Sequence, residues 1–92
     1  MSIQWLFDVI DDRKNHPNEE SYTASLLSKG LPKIAKKVGE EGTEVVVAAL
    51  SQDDQRLIEE VADLIYHTLV LLSARGIDFN QVLAELEKRH RG

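Results

Sequence analysis

The sequence predicts an all-α fold of four to five helices, with two long helices paired as a central antiparallel hairpin. Apolar residues recur at helical spacing, and no run sustains the two-residue alternation of a half-buried strand. Helix breakers stand at Asn15-His16-Pro17-Asn18, Gly30-Leu31-Pro32 and Gly76, cutting the 92 residues into segments of helical length. The third observation is a symmetry about the polar turn Ser51-Gln52-Asp53. Glu41 and Glu44 precede it, Glu60 and Asp63 follow it, and Glu44 and Glu60 each lie seven residues away. At 1.5 Å rise per residue, each acidic pair is about 10 Å from the turn, so a hairpin brings four carboxylates to one level.

The first helix is expected from Ile3 to Lys14, with Trp5, Leu6, Val9 and Ile10 on one side. Ser21 is a natural N-cap for a short helix from Tyr22 to Lys29. Pro32 suits the first turn of a helix running to about Leu50. Asp53 or Asp54 caps the next, which ends at Arg75 with Gly76 as its left-handed C′ residue. Asp78 and Gln81 form a capping-box start for a last helix, Phe79 to about His90. With no linker or repeat, residues 1–92 read as a single domain.

Composition narrows the function classes. A net charge of −5 argues against nucleic acid as partner. There is no cysteine, no secretion signal and no uninterrupted apolar run of membrane-spanning length, so a soluble, cytoplasmic protein without membrane association is expected. Charge is segregated: Lys29, Lys33, Lys36 and Lys37 lie in a stretch without acids, directly before the acid-rich segment Glu40 to Asp63. That juxtaposition suits a ligand made of phosphates and a divalent metal, although two solvated helix faces would look the same. The segment Leu57 to Ala74 is apolar around nearly its whole circumference, which calls for burial on most sides. A homodimer, or a higher homo-oligomer, whose central helices bundle together would provide it.

Acids spaced i, i+3 share a helix face, but chance also supplies such pairs in a chain with 16 acids. Context separates them. Asp8 and Asp11 belong to a polar stretch and read as solvated surface, whereas Glu60 and Asp63 interrupt the most apolar segment of the chain. Glu41, Glu44, Glu60 and Asp63 are therefore the candidate metal ligands. Oxygen-only coordination selects Mg²⁺, or alternatively Mn²⁺, over zinc or copper. A di-iron site would require paired Glu-x-x-His motifs, and only Glu87-Lys88-Arg89-His90 has that form. Lys33, Lys37, Glu41 and Glu44 form one stripe along a helix, so Lys33, Lys36 and Lys37 are candidate substrate-phosphate contacts. His67 extends the line of Glu60 and Asp63 as a candidate substrate contact or as a hydrogen-bonded core histidine. Glu40 is the candidate general base, or a surface acid. No Walker-type phosphate loop is present. Carboxylates around a divalent cation beside lysines suit hydrolysis of a phosphoanhydride.

Beyond these spacings, Ser21-Tyr22-Thr23-Ala24, Lys36-Lys37-Val38-Gly39-Glu40-Glu41 with Glu44, and Ala62-Asp63-Leu64 with Tyr66-His67 together resemble the phosphoribosyl-ATP pyrophosphohydrolase family of histidine biosynthesis. The resemblance extends over residues 3 to 91. It implies the all-α, MazG-like pyrophosphatase fold, Mg²⁺ dependence, and cleavage between the α and β phosphates of phosphoribosyl-ATP to give phosphoribosyl-AMP and pyrophosphate. It also implies dimers or higher assemblies, metal ligation by Glu41, Glu44, Glu60 and Asp63, and phosphate contacts around Lys33, Lys36 and Lys37. The stand-alone form is expected, without the cyclohydrolase domain to which many relatives fuse this activity. Two other readings stay open: a general nucleoside and deoxynucleoside triphosphate pyrophosphohydrolase on the same scaffold, and a non-catalytic helical dimer.

Overall fold

The computed structural model describes residues 1–18 and 20–91, and among them there are five helices and no strand. Helix α1 spans Ile3–Asn15, α2 Tyr22–Ser28, α3 Leu31–Ser51, α4 Asp54–Ala74 and α5 Phe79–Arg89. None of them is long and apolar enough to cross a membrane. The architecture is all-α, as the periodicity predicts, and is consistent with the MazG-like fold that the resemblance implies.

Local sequence sets each boundary. Ser2, Ser21 and Asp53 cap α1, α2 and α4, each accepting from the backbone N–H three residues on. Asp78 accepts from the backbone N–H of Asn80 while Gln81 reaches back to the backbone N–H of Asp78, so the expected capping box is present. Helix α4 ends in a full Schellman motif. Gly76 takes φ +72°, its N–H donates to the Ser73 carbonyl, and the N–H of Ile77 donates to that of Leu72.

Helices α3 and α4 fold back on each other across Gln52 and Asp53. The buried stripe of α3 is Ile34, Glu41 and Ala48, a seven-residue repeat, and on α4 Glu60 and His67 keep the same interval. Carboxylates thus occupy positions that core residues hold one or two turns away. At the end of the hairpin away from the turn, α1 and α2 cover a core of Phe7, Ile10, Leu26, Ile34, Leu69 and Val70. The half nearer the turn carries Glu41 and Glu60.

Two expectations for α1 need correction. Its inward residues are Phe7 and Ile10, whereas Trp5 is 54% exposed. The apolar stripe is wide enough to admit either phase, and packing against α4 selects Phe7. Asp11 is not a solvated surface acid: its Oδ1 accepts a 2.8 Å hydrogen bond from the hydroxyl of fully buried Ser73. Lys14 donates to the Ser73 carbonyl at 2.9 Å, so the pair ties α1 to the end of α4.

Candidate active site

The hairpin gathers the acids from its two helices. One carboxylate oxygen each from Glu41, Glu60 and Asp63 lies within 4.8 Å of the others, with Glu41 and Glu60 buried and Asp63 exposed. Glu44 stands outside that group of three but touches two of its members. Its carboxyl is pushed up to about 7, first by hydrogen-bonding contact with Glu60, then with Glu41, and by the charge of both.

Two cations flank the cluster. Lys37 donates to Glu41 Oε1 at 3.2 Å, a bond that raises the lysine above its ordinary range. Arg56 reaches Glu60 Oε1 at 2.5 Å with one guanidinium nitrogen and Glu59 at 2.6 Å with another. Each buried glutamate therefore has one oxygen occupied. The other oxygens, Glu41 Oε2 and Glu60 Oε2, are buried with no hydrogen-bond partner. Buried carboxylate oxygens left without a donor cost several kcal/mol. A proton on Glu44 or a bound cation would meet them. The donor set is all oxygen and stays anionic after both flanking cations are counted, so it fits a hard divalent ion such as Mg²⁺ or Mn²⁺.

A basic cleft opens beside the cluster. It has a volume of about 240 Å³ and is lined by Lys29, Lys33, Lys36, Lys37, Tyr22 and Glu40, among others. Lys37 belongs both to the cleft and to the carboxylate cluster. Glu40 lines the cleft 4.0 Å from the Lys36 ammonium and is not among the gathered carboxylates.

His67 lies beneath this surface, only 5% exposed. Its Nδ1 donates to the Asp63 backbone carbonyl at 2.7 Å, which leaves Nε2 to accept from the Tyr22 hydroxyl at 3.2 Å. The ring also packs edge-on against Tyr66, whose hydroxyl meets that of Thr23. His67 is thus buried and hydrogen-bonded at both ring nitrogens, joining α2 to the backbone of Asp63.

Arg56 and Tyr22 were not singled out by spacing. Arg56 precedes Glu60 by four residues, the same interval that links Lys37 to Glu41, so its ion pair was legible. The pairing of Tyr22 with His67 crosses 45 residues and left no local signal.

The sequence is also similar to known proteins. The family model described as phosphoribosyl-ATP pyrophosphohydrolase matches residues 4–90. The phosphoribosyl-ATP pyrophosphatase of Erythrobacter litoralis (strain HTCC2594) is 54% identical over 88 residues, which cover 96% of this chain and 85% of that protein. That of Clostridium botulinum (strain Hall) is 51% identical over 87 residues, covering 95% and 79%. The enzyme of the same name from Sulfurisphaera tokodaii is 52% identical over 87 residues, covering 95% and 93%.

Proposed function

The chain belongs to the phosphoribosyl-ATP pyrophosphohydrolase family, and from that premise we propose that it hydrolyses phosphoribosyl-ATP between the α and β phosphates. Water adds across the anhydride, and the products are phosphoribosyl-AMP and pyrophosphate, a step of histidine biosynthesis. The observation that carries the reading is the pair of unpartnered, buried oxygens on Glu41 and Glu60, beside Asp63 and a lysine-lined cleft.

Glu41, Glu60 and Asp63 would hold Mg²⁺, with Mn²⁺ as the alternative, and Glu44 would join them on losing its proton. A divalent ion there supplies charge neutralisation for the phosphate oxygens as the anhydride breaks. Lys37 and Arg56 each hold one oxygen of a buried glutamate and leave its other oxygen free for a cation. Lys33, Lys36 and Lys37 draw the substrate's phosphates to the cleft. We assign proton acceptance from the attacking water to Glu40, an exposed carboxylate that lines the cleft and adjoins Glu41 in sequence. His67 acts through Tyr22 rather than on the substrate.

We also propose that two copies pair through the outer face of the hairpin. Leu50 is 83% exposed and Ile58 61%, and Val47, Val61 and Ile65 are exposed along the same helices, an apolar surface that a second hairpin would cover.

The test is pyrophosphate release with phosphoribosyl-ATP offered beside ATP and the deoxynucleoside triphosphates. Strong preference for phosphoribosyl-ATP is expected. Equal rates would favour the general nucleotide pyrophosphohydrolase, and no release from any substrate would favour the non-catalytic dimer. Glu40→Gln should lower kcat while metal still stabilises the protein; an unchanged kcat would remove Glu40 from the chemistry.

A further inference from the structure

The four lysines of the cleft stand at unequal distances from the carboxylate cluster, and that spread bears on which phosphate each one meets. Lys37 is one helical turn from Glu41 and bonded to it. Lys33 stands eight residues before Glu41 on the same helix, about 12 Å along the axis at 1.5 Å per residue. Its side chain leans still further away, because Cβ vectors on a helix tilt toward the N-terminus. Lys29, the C-cap of α2, completes the far end of the cleft.

We propose that this far end, Lys29 and Lys33, is the seat of a second phosphate at the opposite end of the nucleotide, the 5′-phosphate of the added ribose. The inference rests on the proposed substrate and divides its recognition in two. The anhydride to be cut lies at the carboxylates, with Lys37 beside it. The leaving pyrophosphate, two phosphates sharing a single bridging oxygen, is shorter than that axial separation. A phosphate carried across a base and a further ribose spans the gap. Between the two ends, Tyr22 forms part of the wall, with 53% of its surface exposed and its hydroxyl already engaged by His67. What it offers a ligand is a flat ring face, suited to the planar base in the middle of the molecule. Among the described residues, Lys36 pairs with Glu40 and Lys37 with Glu41, whereas Lys29 and Lys33 have no carboxylate at ion-pair distance. The far end therefore distinguishes the two-ended substrate from ATP, which has nothing to place there.

The double variant Lys29→Gln/Lys33→Gln tests this. Both side chains are exposed, so folding is expected to survive, as far-UV circular dichroism would verify. KM for phosphoribosyl-ATP should rise by about 10- to 100-fold, the usual consequence of losing a charge-assisted hydrogen bond, with a smaller change in kcat. The preference for phosphoribosyl-ATP over ATP should fall by the same factor. In a second arm, ribose 5-phosphate should inhibit the unaltered enzyme competitively and inhibit the variant more weakly. If the preference is unchanged, or if the variant loses inhibition by pyrophosphate instead, the far end holds the leaving group and the proposal is overturned. Failure of the unaltered enzyme to hydrolyse phosphoribosyl-ATP would overturn the proposed function, and this inference with it.

Discussion

Adding Mg²⁺ or Mn²⁺ should raise the melting temperature of this protein, and the cluster sets the scale of the rise. Glu41 and Glu60 are each 4% exposed, and their Oε2 atoms have no hydrogen-bond partner. Unfolding disperses the carboxylates into water, so a cation binds the folded chain far more tightly than the unfolded one. At a metal concentration of about 100 times Kd, that linkage contributes about 2.7 kcal/mol. In a domain of this size each kcal/mol moves the midpoint by about 4–8 °C, so the rise should be about 10–20 °C. Differential scanning calorimetry on chelator-treated protein, at fixed protein concentration and with KCl matched for ionic strength, measures it.

The same experiment has a pH axis. Glu44 is shifted from 4.5 to about 7 in the folded chain. A carboxyl raised by folding contributes stability that is complete below its unfolded value and is lost as pH rises through the folded one. The metal-free midpoint should therefore fall as pH rises from 4.5 to about 7, the window set by Glu44. Saturating metal should reverse the fall by neutralising the carboxylates. A midpoint that millimolar Mg²⁺ and Mn²⁺ leave unmoved at neutral pH would refute the assignment of the cluster as a cation site.

Further outcomes follow from other parts of the molecule. Glu41→Gln and Asp63→Asn should each lower pyrophosphate release by more than about 100-fold, beyond the range seen when only a supporting neighbour of a metal ligand is removed. Far-UV circular dichroism should show both variants still helical, and undiminished turnover would exclude those carboxylates from the site. His67→Ala should cost about 1–3 kcal/mol in urea unfolding by leaving Tyr22 without its acceptor, and should raise KM more than it lowers kcat. Gly76→Ala should cost about 1–2 kcal/mol, because φ +72° is a left-handed conformation that a Cβ disfavours; an unchanged urea midpoint would contradict this. Leu50→Glu with Ile58→Glu should convert a dimer to a monomer in sedimentation velocity, and a species of unaltered mass would show that this face is not the interface.

Much of this was legible before any coordinates. Ser21, Asp53, Asp78 with Gln81, and Gly76 act within a few residues of themselves, so caps and turns could be read where they stand. The grouping of Glu41, Glu60 and Asp63 was legible too, because two acids at equal distances from one tight turn must meet if the helices are antiparallel. Trp5 and Phe7 mark where this kind of reading stops. Periodicity assigns residues to a stripe, but the rotation of the helix within the bundle decides which edge of the stripe is buried.

The local chemistry of the chain determined the helices, their ends, the level at which the carboxylates converge and the run of lysines beside them. The tertiary structure decided which oxygens of Glu41 and Glu60 are taken by Lys37 and Arg56 and which are left bare. It also decided that His67 faces Tyr22, and that the lysines line a cleft instead of an open face. Those outcomes depend on the rotation and spacing of helices distant in sequence. Packing of the whole core sets these quantities, and no short segment encodes them.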